Sequence, residues 1–403
     1  MQILPVLIPT VGANLGLLEL DSDSSVIPRL QVYPAAAELL IGQKTKAKTG
    51  STTLMPMEFI DLRPGYTISR VVRGGWQLAG GHGPVDRERA IADFNKFVSV
   101  GIDTFDCADI YTGVERLIGE FVARTSQQQG SDMASRIKIH TKLVPDLDVL
   151  ETCDASYLEG IVDRSLQRLG VERLDLVQFF WWDLSVGKPV DTLCKLKFLQ
   201  EKGKIRYLGV TNWDVDQINP FVERGLDIVS AQVQYSLLDN RPANQLTEWC
   251  SKHQVKLLCY GTLAGGFLTE TWLGKRDPGF EFENRSLIKY RLIIDEFGGW
   301  DLFQTLLGTI NLIAVKYGVS MSAVAARYVL ECPQVAAVII GARYAANLES
   351  TLSIFKFSLD KQDHKSISAV LQEQEGPSGP VYGLEGDRSG RHGSIMKYNL
   401  NTR

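Results

Sequence analysis

The sequence predicts an α/β fold: a closed (β/α)8 TIM barrel with an N-terminal extension, a barrel-floor hairpin and an irregular C-terminal tail. Eight strand-like runs alternate with amphipathic helical patterns, which is the order of a parallel barrel. Several runs are almost continuously apolar, as expected for parallel strands buried on both faces. The length of 403 residues exceeds an average domain but suits one barrel of about 250 residues with extensions.

The first zone, residues 1–57, is interpreted as a loosely attached extension. Its prolines and glycines interrupt any long helix, and the lack of Lys and Arg before Arg29 differs from a secretory signal. Acidic residues and few arginines speak against a transit peptide, so a cytoplasmic protein is expected, with organelle targeting as the open alternative. The barrel follows over 58–373 and the tail over 374–403.

The run 59–68, ahead of the first barrel strand, is interpreted as a hairpin that could plug the barrel floor. Helical patterns with one apolar face lie, for example, at 86–101, 157–170 and 244–253. The strand-like runs, rich in Val, Ile, Tyr, Phe and Trp, cover 70–76, 103–109, 138–144, 175–182, 205–213, 228–236, 256–263 and 335–343.

The longest interval between strands separates the runs 256–263 and 335–343, and it must hold more than one helix. We therefore expect a loop insertion around 267–300. The tail is rich in Gly, Ser and Pro, and the sequence leaves open whether it folds over the barrel or stays mobile. In this fold the chemistry is expected at the carboxyl ends of the strands, where the strand–helix loops meet.

Composition argues against several classes of function. With 43 Lys and Arg against 47 Asp and Glu, the net charge of −4 speaks against a nucleic-acid partner. No apolar run reaches the roughly 18 residues of a membrane span, and six cysteines are too few for a disulfide framework. The sequence contains no C-x-x-C, H-E-x-x-H or acidic-loop pattern, so we expect no metal site.

Three residue types at neighbouring strand ends indicate one chemistry. Asp106 and Tyr111 lie at the end of the second barrel strand, and Lys142 lies near the end of the third. An ammonium beside a phenol favours the phenolate and lowers the phenol pKa, which is ordinarily about 10. A carboxylate behind the ammonium keeps it charged and in place. Tyr111 could then donate a proton to an oxygen that gains negative charge, as reduction of a carbonyl by hydride requires.

Six segments resemble those of the aldo-keto reductases, and they occur in the order of that family over residues 58–357. They are DTFDCADIYTGVERLIG, KIHTK, GKIRYLGVTNW, AQVQYSLL, YGTLAGGFLT and VIIGARYAANLES. The resemblance implies a barrel that binds a nicotinamide cofactor at its mouth without a Rossmann domain. No G-x-G-x-x-G motif joins a strand to a helix here, and the glycine-rich run 80–86 is interpreted as a loop.

The resemblance also implies catalytic roles. It makes Tyr111 the general acid, Lys142 the partner that lowers its pKa, and Asp106 the carboxylate behind Lys142. One position departs from the family, because the His expected in the fourth strand aligns with Phe180, which can neither donate nor accept a hydrogen bond. Two interpretations stay open: Phe180 forms an apolar wall for a hydrophobic substrate, or it marks a weakened or lost activity.

For the cofactor, the resemblance implies that the ends of the fifth and sixth strands hold the nicotinamide carboxamide and that Tyr260 stacks under the ring. Because a guanidinium matches a phosphate, Arg343 favours NADP over NAD. Ser350 and Thr351 replace the Glu-Asn pair of the family, which leaves part of the adenosine contact undefined. The residues implied to bind the cofactor are Thr211, Asn212, Gln232, Tyr260, Gly341, Arg343 and Asn347.

Two histidines lie near the strand ends and are candidates to replace the missing one. His140 shares a strand face with Lys142, so we expect it one layer below the mouth, as a hydrogen-bonded interior residue. His82 follows the first barrel strand and is at the correct end of the barrel. It is the better substitute, although an exposed loop histidine without a role is the simpler interpretation.

Aromatic side chains are the candidate substrate-binding residues, namely Trp76, Phe180 and Trp181. By strand alternation, Phe180 and Trp182 share one face and Trp181 lies on the other. The sequence thus predicts an NADP-dependent oxidoreductase that reduces a small-molecule aldehyde or ketone to an alcohol, with Tyr111 as general acid. The alternative is an NADP(H)-binding regulatory or sensor protein with little or no turnover. The sequence leaves the substrate and the oligomeric state open.

Overall fold

The computed structural model describes residues 57–401, so all but the last residue of the extension 1–57 lies outside the described part of the chain. The described part begins with an antiparallel hairpin, β1 (Phe59–Arg63) and β2 (Tyr66–Ser69), as predicted over 59–68. The hairpin packs its buried side chains against the interior of the barrel and closes the barrel floor. Those side chains are Leu62, Tyr66 and Ile68.

Within the described residues, eight parallel strands form a closed barrel in which the last strand pairs with the first, so the predicted fold is confirmed. Each strand ends one to three residues before the end of its predicted run, because the last residues of the run belong to the loops of the mouth. The barrel strands are β3 (Val71–Gly74), β4 (Thr104–Asp106), β5 (Lys138–Leu143), β6 (Leu174–Phe179), β7 (Ile205–Thr211), β8 (Ile228–Gln234), β9 (Lys256–Tyr260) and β10 (Val335–Gly341).

Helices follow the strands on the outside of the barrel. The helix predicted over 157–170 shows why the periodic segments fold as they do: Asp154 accepts a hydrogen bond from the Tyr157 backbone N–H, and Gly170 ends the helix at φ 66°. The described helices are α1 (Arg87–Ser99), α2 (Val114–Gln129), α3 (Ser131–Arg136), α4 (Ala155–Leu169), α5 (Pro189–Glu201), α6 (Val215–Glu223), α7 (Gln245–His253), α8 (Arg285–Phe297), α9 (Gly299–Tyr317), α10 (Met321–Glu331), α11 (Leu348–Leu352), α12 (Lys361–Leu371) and α13 (Gly383–Gly386).

The apolar core has two parts. The larger part lies between the strands and the helices, and the smaller part fills the barrel above the hairpin, where Val72, Leu176 and Leu258 meet. Among residues 57–401, no single helix is long and apolar enough to cross a membrane; α9 and α10 reach that length and hydropathy only as a pair bent by 95°.

The insertion and the tail both reach the mouth of the barrel. Between β9 and β10 the chain forms α8, α9 and α10, which confirms that this interval holds more than one helix. The tail is ordered, mostly irregular, and folded over the barrel. Its Val381 N–H donates to Asp214, 2.9 Å away, beyond the end of β7, and the Asn401 amide donates to the Val144 carbonyl, 2.6 Å away, beyond the end of β5.

Candidate active site

A cavity of about 900 Å³ opens at the carboxyl ends of the barrel strands. Strand ends, the α8 region of the insertion and the tail all contribute to its walls. Every residue that the sequence assigned to catalysis or cofactor binding lines this cavity. These residues are Asp106, Tyr111, Lys142, Thr211, Asn212, Gln232, Tyr260, Gly341, Arg343 and Asn347.

The charged pair at the base of this cavity consists of Asp106 and Lys142. The last residue of β4 and the fifth residue of β5 bring the two side chains together inside the barrel. The Lys142 Nζ lies 2.6 and 2.8 Å from the two Asp106 carboxylate oxygens and donates a third bond to the Cys107 carbonyl at 2.9 Å. Burial lowers the pKa of Lys142, but the Asp106 charge outweighs it and leaves that pKa raised, so Lys142 stays protonated.

Two amides complete a polar layer around the Asp106 carboxylate. The Gln232 side-chain NH2 donates to Asp106 Oδ1 at 2.6 Å and to Gln178 Oε1 at 2.9 Å, while the Gln178 NH2 donates to Asp106 Oδ1 at 3.2 Å. All four side chains are buried, so each amide holds the carboxylate in place beside Lys142. Gln178 was missed at the level of sequence, where its only signal is a polar residue inside an apolar strand.

Tyr111 lies on the loop between β4 and α2, next to this layer. The Lys142 Nζ is 5.2 Å from the centroid of its ring, and Trp76 packs edge-on at 5.1 Å on another side. Burial raises the pKa of the Tyr111 phenol, and Lys142 opposes that rise without cancelling it. The expected net lowering is therefore wrong for this structure, because desolvation of the phenolate outweighs the nearby ammonium. Tyr111 is accordingly protonated at neutral pH.

The ends of β7 and β9 form the wall opposite Tyr111. Asn212 follows β7 with a left-handed backbone, at φ 62°, and its side-chain oxygen accepts a hydrogen bond from the Tyr260 hydroxyl at 2.8 Å. Asn is one of the few residues other than Gly that adopt this conformation readily. The Thr211 hydroxyl donates to the Gln232 backbone carbonyl at 3.1 Å, which ties the ends of β7 and β8 together.

The far end of the cavity lies beyond β10 and is polar. The Arg343 guanidinium donates to the His82 carbonyl at 2.8 Å and to the Pro84 carbonyl in the loop after β3. Gly341 leaves room for Gln77, whose side-chain amide would collide with a β-carbon at that position. The Ser350 hydroxyl joins a chain of serine hydroxyls here, 2.7 Å from that of Ser320.

Phe180 lies directly after β6 and forms an aromatic wall of the cavity. It is buried, and its ring contacts Trp182 edge-on at 4.8 Å and Tyr382 of the tail edge-on at 5.6 Å. Trp76 faces the cavity from the loop after β3 and is one of the more exposed tryptophans. This side of the mouth is therefore apolar, whereas the other side carries the charged Asp106–Lys142 pair.

The model of the Aldo/keto reductase family matches residues 70–372, which is more than half of the chain. The chain belongs to the aldo-keto reductase family. Members of this family are oxidoreductases that use nicotinamide cofactors and act on small-molecule carbonyl compounds. The resemblance found in the sequence is thereby confirmed.

Relatives of this aldo-keto reductase are distant in sequence. It is 25% identical over 327 residues to aldo-keto reductase YhdN of Bacillus subtilis (strain 168), covering 79% of this chain and 95% of that protein. It is 24% identical over 330 residues to the NADH-specific methylglyoxal reductase of Escherichia coli (strain K12), covering 77% and 96%. The fold matches an aldo-keto reductase from Klebsiella pneumoniae in complex with NADPH with a TM-score of 0.60 at 19% identity, covering 81% and 98%.

The two candidate histidines of this aldo-keto reductase lie at different depths. His140 is buried below the mouth, with its Nε2 3.1 Å from the Tyr66 hydroxyl of the floor hairpin, as expected for an interior histidine. His82 lines the cavity, and its Nε2 is 3.4 Å from the Ser286 hydroxyl of α8. It packs against Trp76, with ring centroids 6.3 Å apart.

Trp181 does not line the main cavity, which corrects the expectation that it binds substrate. Its ring packs outward against Phe179 at a centroid distance of 5.8 Å, and its indole N–H donates to the Val186 carbonyl at 2.9 Å. It lines a smaller neighbouring cavity. Trp182 takes the inward position beside Phe180 instead. The physical reason is the alternation of neighbouring side chains, which places Trp181 on the face opposite to both.

Side chains from the insertion and the tail complete the site and were missed at the level of sequence. Lys289 of α8 and Tyr382 of the tail both line the cavity. The Lys289 ammonium lies 3.4 Å from the buried Glu385 carboxylate, which also contacts Arg241 at 3.3 Å. Asp239 pairs with Arg241 at 2.7 Å from the loop after β8. These four charged side chains connect α8, the tail and the loop after β8. No local sequence pattern predicts that these three segments contact one another.

Proposed function

We propose that this aldo-keto reductase reduces an aldehyde or ketone to an alcohol with NADPH, and that Tyr111 is the general acid. The observation that carries the proposal is the buried Asp106–Lys142 pair, held by Gln178 and Gln232, beside a protonated Tyr111 in a large cavity. Such a group is suited to donate a proton and to hold the charge that remains.

The cavity fits a polar cofactor. Five of its lining residues carry buried polar atoms that have no hydrogen-bond partner among the described residues: Gln77 Oε1, His82 Nδ1, Trp182 Nε1, Thr262 Oγ1 and Arg343 Nε. Buried polar groups nearly always have partners, so a bound ligand is the natural source of these. On the family pattern, Thr211, Asn212 and Gln232 would hold the carboxamide, Tyr260 would stack under the ring, and Gly341, Arg343 and Asn347 would meet the adenosine end.

The preference for NADP over NAD is proposed from Arg343. Its guanidinium now donates to two neutral backbone carbonyls, those of His82 and Pro84. A phosphate would compete well for these donors, because charge-assisted hydrogen bonds are about twice as strong as neutral ones. Both cofactors occur among similar proteins. The Escherichia coli relative is named as NADH-specific, and the Klebsiella pneumoniae structure is a complex with NADPH.

The chemistry divides between the cofactor and the protein. The bound nicotinamide would supply a hydride to the carbonyl carbon of the substrate. Tyr111 would give the proton of its hydroxyl to the carbonyl oxygen, and the resulting phenolate would be stabilised by the Lys142 ammonium. Asp106 would keep Lys142 charged and in place, and water would return a proton to Tyr111. The aromatic wall of Trp76, Phe180 and Trp182 suits an apolar carbonyl substrate.

The test is a panel of aldehydes and ketones offered with NADPH and with NADH. We expect NADPH-dependent reduction of at least one apolar aldehyde, with NADH a weaker cofactor. Tyr111→Phe should lower kcat by about 10²–10⁴-fold or more while leaving NADPH affinity, measured by fluorescence titration, within about threefold of the wild type. Undiminished activity in Tyr111→Phe would overturn the assignment of the acid.

A second candidate, an NADP(H)-binding regulatory or sensor protein, is favoured by one observation. Phe180 occupies the position where the family carries its fourth catalytic residue, and it makes no polar contact there. Tight NADPH binding without turnover of any carbonyl in the panel would favour this candidate. Rapid reduction by the wild type would eliminate it.

A further inference from the structure

The tail brings one phenol to the place where the aromatic wall lacks a polar group. Tyr382 packs edge-on against Phe180, with ring centroids 5.6 Å apart and an angle of 82° between the rings. It lines the same cavity as Tyr111 and is half-buried. Burial raises the pKa of the Tyr382 phenol, as do Glu385, Tyr398 and Tyr111, so Tyr382 keeps its proton at neutral pH.

The hydroxyl of Tyr382 is available for a ligand. Among residues 57–401, Tyr382 has ring contacts and backbone hydrogen bonds, but its hydroxyl makes no hydrogen bond with another residue. The other tyrosine of the tail differs, because the Tyr398 hydroxyl donates to the Gly393 carbonyl at 3.2 Å. A phenol that lines a cavity with its donor unused is a ready partner for a ligand oxygen.

The backbone around Tyr382 is held in a strained shape that aims the ring at Phe180. Tyr382 has a left-handed backbone, with φ 61°, which residues other than Gly and Asn rarely adopt. Val381, on one side, donates to Asp214 at 2.9 Å, and Glu385, on the other side, is anchored to Arg241 and Lys289. The fold thus maintains this conformation from both sides, as is typical of residues with a functional position.

Other donors near Phe180 are less free. The Lys289 ammonium is paired with Glu385 and lies over the rings of Tyr260, Tyr290 and Tyr382 at 5.3 to 5.8 Å from their centroids. The Trp182 indole N–H also has no partner among the described residues, but that atom is fully buried, whereas Tyr382 is half-buried where it lines the cavity.

From these contacts we propose that Tyr382 donates a hydrogen bond to the carbonyl oxygen of the substrate and performs the orienting role for which Phe180 has no polar atom. The proposal rests on the proposed function, since it requires a carbonyl substrate between Tyr111 and the tail. Tyr111 remains the proton donor, and Tyr382 keeps its own proton throughout, so no further reactant is needed. The tail is then part of the catalytic site and not only a cover.

The test compares Tyr382→Phe with Tyr398→Phe in the full-length protein. Tyr398 is a matched control, because it belongs to the same tail and its ring packs on Trp182 at 4.7 Å, but its hydroxyl is bonded to the backbone. We expect Tyr382→Phe to lower kcat/KM by about 10²–10³-fold, as for loss of one donor to a reacting oxygen. Tyr398→Phe should stay within about twofold of the wild type, and NADPH affinity should be unchanged in both.

A rescue variant separates hydrogen bonding from a structural role. Adding Phe180→His to Tyr382→Phe restores a donor on the same wall, so the double variant should recover to within about fivefold of the wild type. Three outcomes would each overturn the role of Tyr382. They are a loss of kcat/KM in Tyr382→Phe no larger than that in Tyr398→Phe, a loss of NADPH affinity in Tyr382→Phe as large as its loss of kcat/KM, and a double variant that does not recover. None of these three outcomes would change the expected loss of activity in Tyr111→Phe, so the proposed function would stand. Absence of turnover in the wild type would instead overturn the proposed function, and the role of Tyr382 with it.

Discussion

The two sides of the barrel mouth are built in different ways. On one side, Asp106, Lys142, Gln178 and Gln232 come from four barrel strands and satisfy one another within the sheet. On the other side, Phe180 follows the end of β6 and its side chain has no polar atom. Its ring contacts Trp182 and, from the tail, Tyr382. The first side is assembled by strand register alone, whereas the second depends on a segment about two hundred residues further along the chain.

This difference separates parts of the site that tolerate change from parts that do not. A buried ion pair inside a closed barrel has no alternative partner, so removal of one member leaves the other charged and desolvated. The aromatic wall is completed by a folded tail, whose contacts can adjust more readily than those of a strand. We therefore expect the largest effects of substitution on the strand side and smaller ones on the tail side.

On the strand side, we expect the largest loss of stability and activity from Lys142→Met. It should leave the Asp106 carboxylate buried without a cation, which costs about 3–5 kcal/mol of unfolding free energy. It should also remove the ammonium beside Tyr111 and lower kcat by about 10³-fold or more. Urea unfolding and initial rates measure the two effects. In the double variant Asp106→Asn with Lys142→Met, the stability should partly return while the activity stays lost; a double variant as unstable as the single one contradicts this account.

On the tail side, Glu385→Gln should have a smaller effect. The buried carboxylate offsets the charges of Lys289 and Arg241, and Arg241 keeps Asp239 as a second partner. We expect a loss of about 2 kcal/mol in unfolding free energy and faster proteolysis of the tail. The exposed Asp387→Asn, in the same tail, is the control and should change stability by less than about 0.5 kcal/mol. Equal effects of the two substitutions would argue against a buried anchor.

At neutral pH the smallest effect concerns His140, one layer below the Asp106–Lys142 pair, because its contribution to stability changes only below about pH 6.5. Burial, together with the Lys142 charge, lowers the pKa of His140 to about 3, from 6.5 when unperturbed. Below pH 6.5 the unfolded chain therefore binds a proton that the folded chain does not bind. The unfolding free energy should fall by up to about 1.4 kcal/mol per pH unit as pH falls from 6.5 towards 3. Urea titrations of wild type and His140→Gln across this range should show a shallower pH slope in the variant. Parallel slopes would show that His140 is charged in the fold.

Much of the site could be predicted because its signals are local. Asp106 and Tyr111 lie within six residues of one another, and Lys142 shares a strand face with His140 by simple alternation. Gln178 could have been added by the same logic, as a polar residue in an apolar strand that faces Lys142 across β5 and β6. The direction of the Tyr111 pKa could not, because burial of the phenol depends on packing of Trp76 and the cavity walls.

By itself, the sequence determined the barrel, the hairpin of its floor and the group Asp106, Tyr111 and Lys142 near the ends of two neighbouring strands, because alternation and apolar runs are properties of neighbouring residues. The resemblance to the family also predicted that Phe180 stands at the position of the family's catalytic His. Only the tertiary structure decided that Tyr382 meets Phe180, and that Glu385 pairs with Arg241, 144 residues away. These contacts depend on how the loops and the tail fold over the mouth of the barrel. No local sequence pattern predicts which side chains contact one another across such long separations along the chain.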